Sequence, residues 1–304
     1  MSTDTRSASR MGTAPMGPLL FSLAIPMMVS MLFQALYNVV DSIFVSYINE
    51  AALSAVSLAF PIQNLMIAFA VGTGVGVNAY VSKSLGEGNR AEADRTAANG
   101  LFLALCTFVA FFVFGLVGVS AFMNSQTEDP LIRQYGNDYL SVCCIFSLGC
   151  MIQCMVEKLL SATGRSNYAM ITQLVGALTN IVLDPILIFG LFGFPRMEAA
   201  GAAAATVAGQ FLGAITGLYL NLRHNHDIQF RLQDFRPQGR TIRRIYQVGI
   251  PSIAMTSVGS VMTFCMNRIL IAFSSTAVAV FGVYFKMQSF IVMPLIGLNN
   301  GMVP

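Results

Sequence analysis

The sequence has no tryptophan, two histidines and only 10% charged residues. A soluble domain carries about a quarter charged residues, so a solvated globular surface is excluded for most of the chain. The histidines, His224 and His226, share one polar loop, and no cysteine stands at zinc-site spacing from them. Cys106, Cys143, Cys144, Cys150, Cys154 and Cys265 all fall in apolar segments. They read as free thiols packed among helices, not as a metal site or a disulfide framework. No HExxH or GxSxG occurs, so an intramembrane hydrolase, which needs a metal pair or a nucleophile with its base, finds no support. Gly72-Thr73-Gly74-Val75-Gly76 sits inside an apolar run, whereas a nucleotide loop needs a strand before it. The net charge of +3 comes from basic residues between apolar runs, so no nucleic-acid partner is expected. No enzyme activity and no cofactor are expected either.

Apolar sequence is what the chain has: 55% hydrophobic residues and a mean hydropathy of +0.67. This predicts an all-α polytopic membrane protein. Eight spans are expected, at Pro18–Ile48, Leu53–Val81, Ala97–Met123, Leu140–Val156, Tyr168–Phe192, Ala199–Leu220, Ile245–Phe273 and Val278–Pro304. Residues 1–17 form a polar tail, and the first span is too long for a signal-peptide core. Loop charges orient the chain. The tail has Arg6 and Arg10, and the loops after spans two, four and six carry Lys83, Arg90, Arg95, Lys158, Arg165 and a run of arginines from Arg223 to Arg244. The opposite side holds only Arg133, Arg196 and Arg268. The N-terminus is therefore expected in the cytoplasm, the protein lying among the lipids of a prokaryotic plasma membrane.

Few polar residues interrupt the spans. In span five Asn180 and Asp184 are four apart and share a helix face, which continues back through Ala177 to Gln173. An acid at such depth costs about 2.5 kcal/mol or more to insert. Asp184-Pro185 could end the helix as a turn, but the apolar run continues through Ile186 to Phe189, which favours a kink. In span one Gln34, Tyr37, Asn38 and Asp41 form one polar stripe. Asp41 is either hydrated at the outer interface or, as favoured here, buried and facing a cavity. In span six Thr206 and Gln210 share a face, and Thr206 alone would most simply bond back to its own helix. Asp41, Asp184 and Thr206 each lie about 10 to 12 Å from the outer end of their helices. Oxygen ligands gathered at one level suit a hard cation such as Na⁺, or a shared proton. Glu157-Lys158 at the end of span four reads as a cytoplasmic surface pair. Lys286 lies roughly 13 Å into span eight, either snorkelling outward or, as expected, facing the central cavity.

The chain also matches itself at an ungapped offset of 225 residues, with Ile25-Pro26 on Ile250-Pro251, Phe60 on Phe285, Gln63 on Gln288, Gly72 on Gly297 and Gly76 on Gly301. Six spans separate the copies, so the repeat is parallel, related by an axis along the membrane normal. Gly72 and Gly76 form a small-residue face for close helix packing, as do Gly209 and Gly213. Asp41 falls opposite Met266, so the second copy lacks the acid.

At these residues the sequence resembles the multidrug and toxic compound extrusion (MATE) family. The carrying motifs are Tyr37-Asn38-Val39-Val40-Asp41, Ala79-Tyr80-Val81-Ser82 with Gly86-Glu87-Gly88-Asn89, Asn180 to Pro185, Gly201 to Thr206, and Pro294 to Gly301. The resemblance implies two six-helix lobes around a V-shaped cavity, alternating access, and efflux of amphipathic, often cationic, drugs against Na⁺ or H⁺. It implies a cation site in the first lobe at Asp41, Asn180, Asp184 and Thr206, with Gln34, Tyr37, Asn38, Gln173, Gln210 and Lys286 as candidates for lining the cavity. The expected division is a tail (1–17), a first lobe (18–222), an interlobe loop (223–244) and the start of a second lobe (245–304). Two full copies of the repeat would need about 450 residues, so the chain is expected to be an incomplete transporter, one that inserts and can bind cation without coupled transport. The full-length protein is expected to be monomeric. The main alternative is a lipid-linked precursor or polysaccharide flippase, which would line its cavity with several Arg and Lys. A passive channel would have no need of the carboxylate pair.

Overall fold

The computed structural model describes residues 15–228 and 237–302, apart from the side chains of Lys286 and Ser289. Arg6, Arg10, Arg231 and Arg236 lie outside the described residues. The described chain is helical: α1 (Met16–Ser46), α2 (Glu50–Gly86), α3 (Arg90–Val117), α4 (Val119–Gln126), α5 (Pro130–Ile145), α6 (Leu148–Ala162), α7 (Ser166–Phe189), α8 (Glu198–His224), α9 (Gly239–Ile271) and α10 (Ser275–Met302). Six of these helices are long and apolar enough to cross a membrane, and the number rises to eight if each of two bent pairs is one span.

Local chemistry sets the boundaries. Asn49 caps α2 by accepting from the Ala52 N–H at 2.7 Å, and Asn89 caps α3 by accepting from Glu92 N–H at 3.2 Å. Asp129 accepts from Leu131 N–H at 2.8 Å, with Pro130 in the first helical turn of α5. Gly190, at φ 72°, ends α7 in the left-handed conformation that a side chain resists. Pro185 lies inside α7, which continues to Phe189, so Asp184-Pro185 is a point within a helix and not a stop.

The fourth span differs from the expected Leu140–Val156. It is a pair of helices, α5 and α6, bent by 49°. The polar stretch Arg133-Gln134…Asn137-Asp138 reads as loop, yet it is the outer half of an amphipathic helix whose other face buries Ile132, Gly136, Tyr139 and Leu140. The third span also breaks, at Gly118, between α3 and α4.

The repeat is visible as paired packing. α2 packs chiefly on α9, and α1 on α10. A Cβ at Gly72 would lie 2.9 Å from Ile253 N, and one at Gly297 would lie 2.7 Å from Met28 Cα. A Cβ at Gly76 would meet Gly249 N at 3.2 Å, and one at Gly301 would meet Ala24 N at 3.0 Å. Met28 and Ile253, like Ala24 and Gly249, are 225 apart, so the two glycine contacts are the same contact repeated. Where the symmetry maps a residue onto its own contact partner, the two copies meet directly. Phe60 and Phe285 stack edge to face with centroids 5.6 Å apart, and Gly282 leaves room for Ser57.

The first six spans close on each other through α7 and α8. Gly209 packs on the Gly176 carbonyl, where a Cβ would lie 2.6 Å away, and Gly201 packs on Leu187 in the same way. This close approach brings the polar face of α7 against that of α8.

Candidate cation site and cavity

Asn180 is the centre of the polar cluster. Its side-chain amide lies 3.2 Å from Thr206 Oγ1 on α8 and 3.3 Å from the Asp184 carboxylate one turn along α7. The amide orientation that satisfies both neighbours turns its nitrogen to Asp184 and its oxygen to the Thr206 hydroxyl and to Thr206 N–H at 3.1 Å. Asp184 is wholly buried, and Asn180 and Thr206 are nearly so. Thr206 thus turns its hydroxyl across to α7, where a lone threonine would be expected to bond back along its own helix.

Asp41 on α1 is also buried. Tyr37, one turn before it, lies within electrostatic reach of both Asp41 and Asp184. On its other side Asp41 is within reach of Tyr139, whose hydroxyl pairs with Gln63 on α2 at 3.1 Å. Asn180, Asp184 and Thr206, on two helices, therefore form one oxygen-rich buried cluster, and Asp41 is a second buried carboxylate on α1. Among the described residues no group of three His, Cys, Asp or Glu side chains is placed to hold a metal. Such a donor set fits a hard monovalent ion or a proton better than a transition metal.

Two connected cavities adjoin this cluster. The smaller is lined by Tyr37, Gln153, Gln173, Gly176, Ala177, Asn180, Thr206 and Gln210. The larger shares Tyr37, Gln153, Gln173 and Gln210 and adds Gln34 and a mostly apolar wall. Of the sequence candidates, Gln34, Tyr37, Gln173 and Gln210 are among the residues lining these cavities. Asp41 is not: neither it nor Asp184 is among the residues lining these two cavities. Asn38 lines neither cavity, because its amide donates to the Gln34 carbonyl of its own helix at 2.9 Å. Lys286 lies in α10, and its side chain is outside the described residues.

Sequence reasoning missed one wall. Glu157-Lys158 is not a surface pair. Lys158 is 6% exposed, its ammonium donates to Asn300 Oδ1 of α10 at 3.0 Å, and both residues line the larger cavity. Gln153 Nε2 donates to Glu157 at 2.9 Å and to Gln173 at 3.1 Å. This face of α6 meets Gln173 of α7 and Asn300 of α10 and shares a cavity with Gln34 of α1, which a span-end position does not reveal. The spacing of Gln153 and Glu157, four apart like Asn180 and Asp184, was the available signal.

The MatE family model matches residues 26–186. Multidrug export protein MepA of Staphylococcus haemolyticus is 27% identical over 285 residues, covering 92% of this chain and 62% of that protein. An FAD transporter of Shewanella oneidensis is 24% identical over 299 residues, covering 96% of this chain and 65% of that protein. The chain thus spans less than two thirds of the length of these curated relatives. Among solved structures, the MATE multidrug transporter DinF-BH in complex with R6G superposes with a TM-score of 0.89 at 32% identity, over 97% of this chain and 66% of that one. The family model covers more than half of the residues, including Tyr37, Asp41, Asn180 and Asp184, and the helices follow the same course: this chain belongs to the MATE family of efflux transporters.

Proposed function

We propose that the protein exports amphipathic, often cationic, organic compounds in exchange for Na⁺ or H⁺. The carrying observation is the buried bridge in which Asn180 holds Asp184 and Thr206 together. When a cation or proton binds this cluster, it neutralises carboxylates that are otherwise expensive to keep in the membrane. It also lets α1, α7 and α8 draw together. Asn180 belongs to the cluster and lines the smaller cavity with Tyr37, so the two relay this movement to the space a drug would fill. Drug and cation then compete through a shared wall without sharing ligands. The names of the relatives support drug export, and the FAD transporter among them widens the range of cargo to consider. Alternating access also requires a second lobe to rock against the first. In this reading α9 and α10 begin that lobe, and the coupled cycle is assigned to the full two-lobe arrangement. The setting proposed is the plasma membrane of a prokaryote, with the N-terminus inside and the protein acting as a monomer among membrane lipids.

The test is dye efflux from proteoliposomes under an imposed Na⁺ or H⁺ gradient, with the complete two-lobe protein. Asp184→Asn should abolish gradient-driven efflux and leave membrane insertion intact. Efflux at the wild-type rate from that variant refutes the assignment, and the gradient that drives the wild type identifies the ion.

A further inference from the structure

The larger cavity holds an acid and a base that do not pair with each other. Glu157 takes its hydrogen bond from Gln153 and Lys158 gives its own to Asn300. Among the described residues no ion pair within 4 Å joins the two. Successive helix residues diverge by about 100°, so the two charges reach different parts of one cavity wall. The packing makes room for this. Gly74 on α2 admits the lysine stem, because a Cβ there would lie 2.8 Å from Lys158 Cγ. Gly213 on α8 admits Gln153, the partner of Glu157, because a Cβ there would lie 2.8 Å from Gln153 Cδ. The rest of the wall is largely apolar, including Met27, Met31, Ile67 and Val71.

A buried charge held by a single neutral amide keeps most of its desolvation cost. Lys158 is buried in this way and Glu157 beside it is half-buried, and the cost is offset most readily when one guest meets both. We propose that this cavity recognises amphoteric substrates: aromatic or apolar molecules carrying a cationic centre, which faces Glu157, and an anionic group, which takes the free donors of Lys158. An ammonium has three donors, and the hydrogen bond to Asn300 uses one. The proposal rests on the export reading above and narrows its substrate class. It also separates roles. Glu157 and Lys158 select cargo, while Asp41 and Asp184, which line neither cavity, serve the coupling ion.

The test uses the 304-residue chain in lipid nanodiscs and a matched pair of dyes read by fluorescence anisotropy. Rhodamine B is a zwitterion, and its ethyl ester is the same ring system with the cation alone. The wild type should bind rhodamine B more tightly than the ester. Lys158→Gln should weaken rhodamine B about tenfold, the scale of one charge-assisted contact, and leave the ester within about twofold. Glu157→Gln should weaken both dyes. Asn300→Ala removes the partner of Lys158 and keeps its charge, so the preference for rhodamine B should persist. If Asn300→Ala and Lys158→Gln lose the preference equally, Lys158 is a latch to α10 and the proposal fails. It also fails if Lys158→Gln leaves the ratio of affinities unchanged. A wild type that binds the ester as well as rhodamine B overturns the amphoteric proposal and leaves export of cations standing. A wild type that binds neither dye likewise overturns the amphoteric proposal, and the export reading is then decided by the efflux test above.

Discussion

The contact between α2 and α9 gives the sharpest quantitative test, because backbone meets backbone there. A Cβ at Gly76 would overlap the Ile245 carbonyl oxygen and lie 3.1 Å from its carbon and 3.2 Å from Gly249 N. No rotamer change relieves a clash with main-chain atoms, so Gly76→Ala must push α9 away by about 1 Å. A gap of that size forfeits a quarter to a half of the dispersion energy along the contact. Withdrawal is resisted by the hydrogen bond from Asn64 Nδ2 to Ser260 Oγ at 2.8 Å and by the Arg244–Tyr80 contact at the end of the same pair. Overpacking of this kind costs about 1–3 kcal/mol, which at about 2–4 °C per kcal/mol corresponds to a Tm lower by roughly 2–12 °C. With no tryptophan to follow, the assay is a thiol-reactive fluorescent dye. Cys143, Cys144 and Cys150 are buried free thiols and become reactive on unfolding. The repeat supplies an internal replicate, since Gly301→Ala meets Ala24 Cα at 2.6 Å in the symmetric contact and should cost a similar amount. Gly86→Ala is the control, with nothing within 4 Å of the added carbon. A Tm for Gly76→Ala within about 1 °C of that control would refute the packing argument.

Thr206→Val keeps the shape and removes the hydroxyl that faces Asn180. It should weaken cation binding, measured as protection against thermal unfolding by added Na⁺ or by acid, about tenfold, while Thr206→Ser stays near wild type. Equal behaviour of the two variants would remove the hydroxyl from the site. Gly213→Leu should displace Gln153 and so break its links to Glu157 and Gln173. Dye affinity should fall while the Na⁺ or acid response of the Asp184 cluster persists, and loss of both together would contradict the separation of the two regions. A double-mutant cycle of Phe60→Leu and Phe285→Leu should give a coupling of about 0.5–1.5 kcal/mol for the edge-to-face pair. A coupling of zero would mean the two rings do not meet in the membrane.

The sequence alone determined the architecture to a useful depth. Long apolar runs must satisfy their backbone internally in lipid, so hydropathy predicts helices, and the polar residues that interrupt them stand out because each has a cost. That is why Asp41, Asn180, Asp184 and Thr206 were legible one at a time, and why helical rise alone placed three of them at one level. The repeat was legible for a related reason: glycines where two backbones touch admit no substitute, so Gly72, Gly76, Gly297 and Gly301 keep their spacing while the lipid-facing residues drift.

Tertiary structure decided what rotation and tilt decide. Depth follows from counting residues, but the direction a side chain faces depends on how a helix is turned against its neighbours. Thr206 bonds across to Asn180, where its sequence neighbours favoured a bond within its own helix. Asn38 belongs to the same polar stripe as Tyr37, yet it folds back on Gln34 while Tyr37 enters the cavity. Glu157 and Lys158 show the limit most plainly. A charge near the end of a span has ready access to water in a linear reading, and only the 49° bend between α5 and α6 and the packing of α10 close over it. The energy of a buried charge depends on what surrounds it in three dimensions, and those surroundings come from residues up to 142 positions away in the chain.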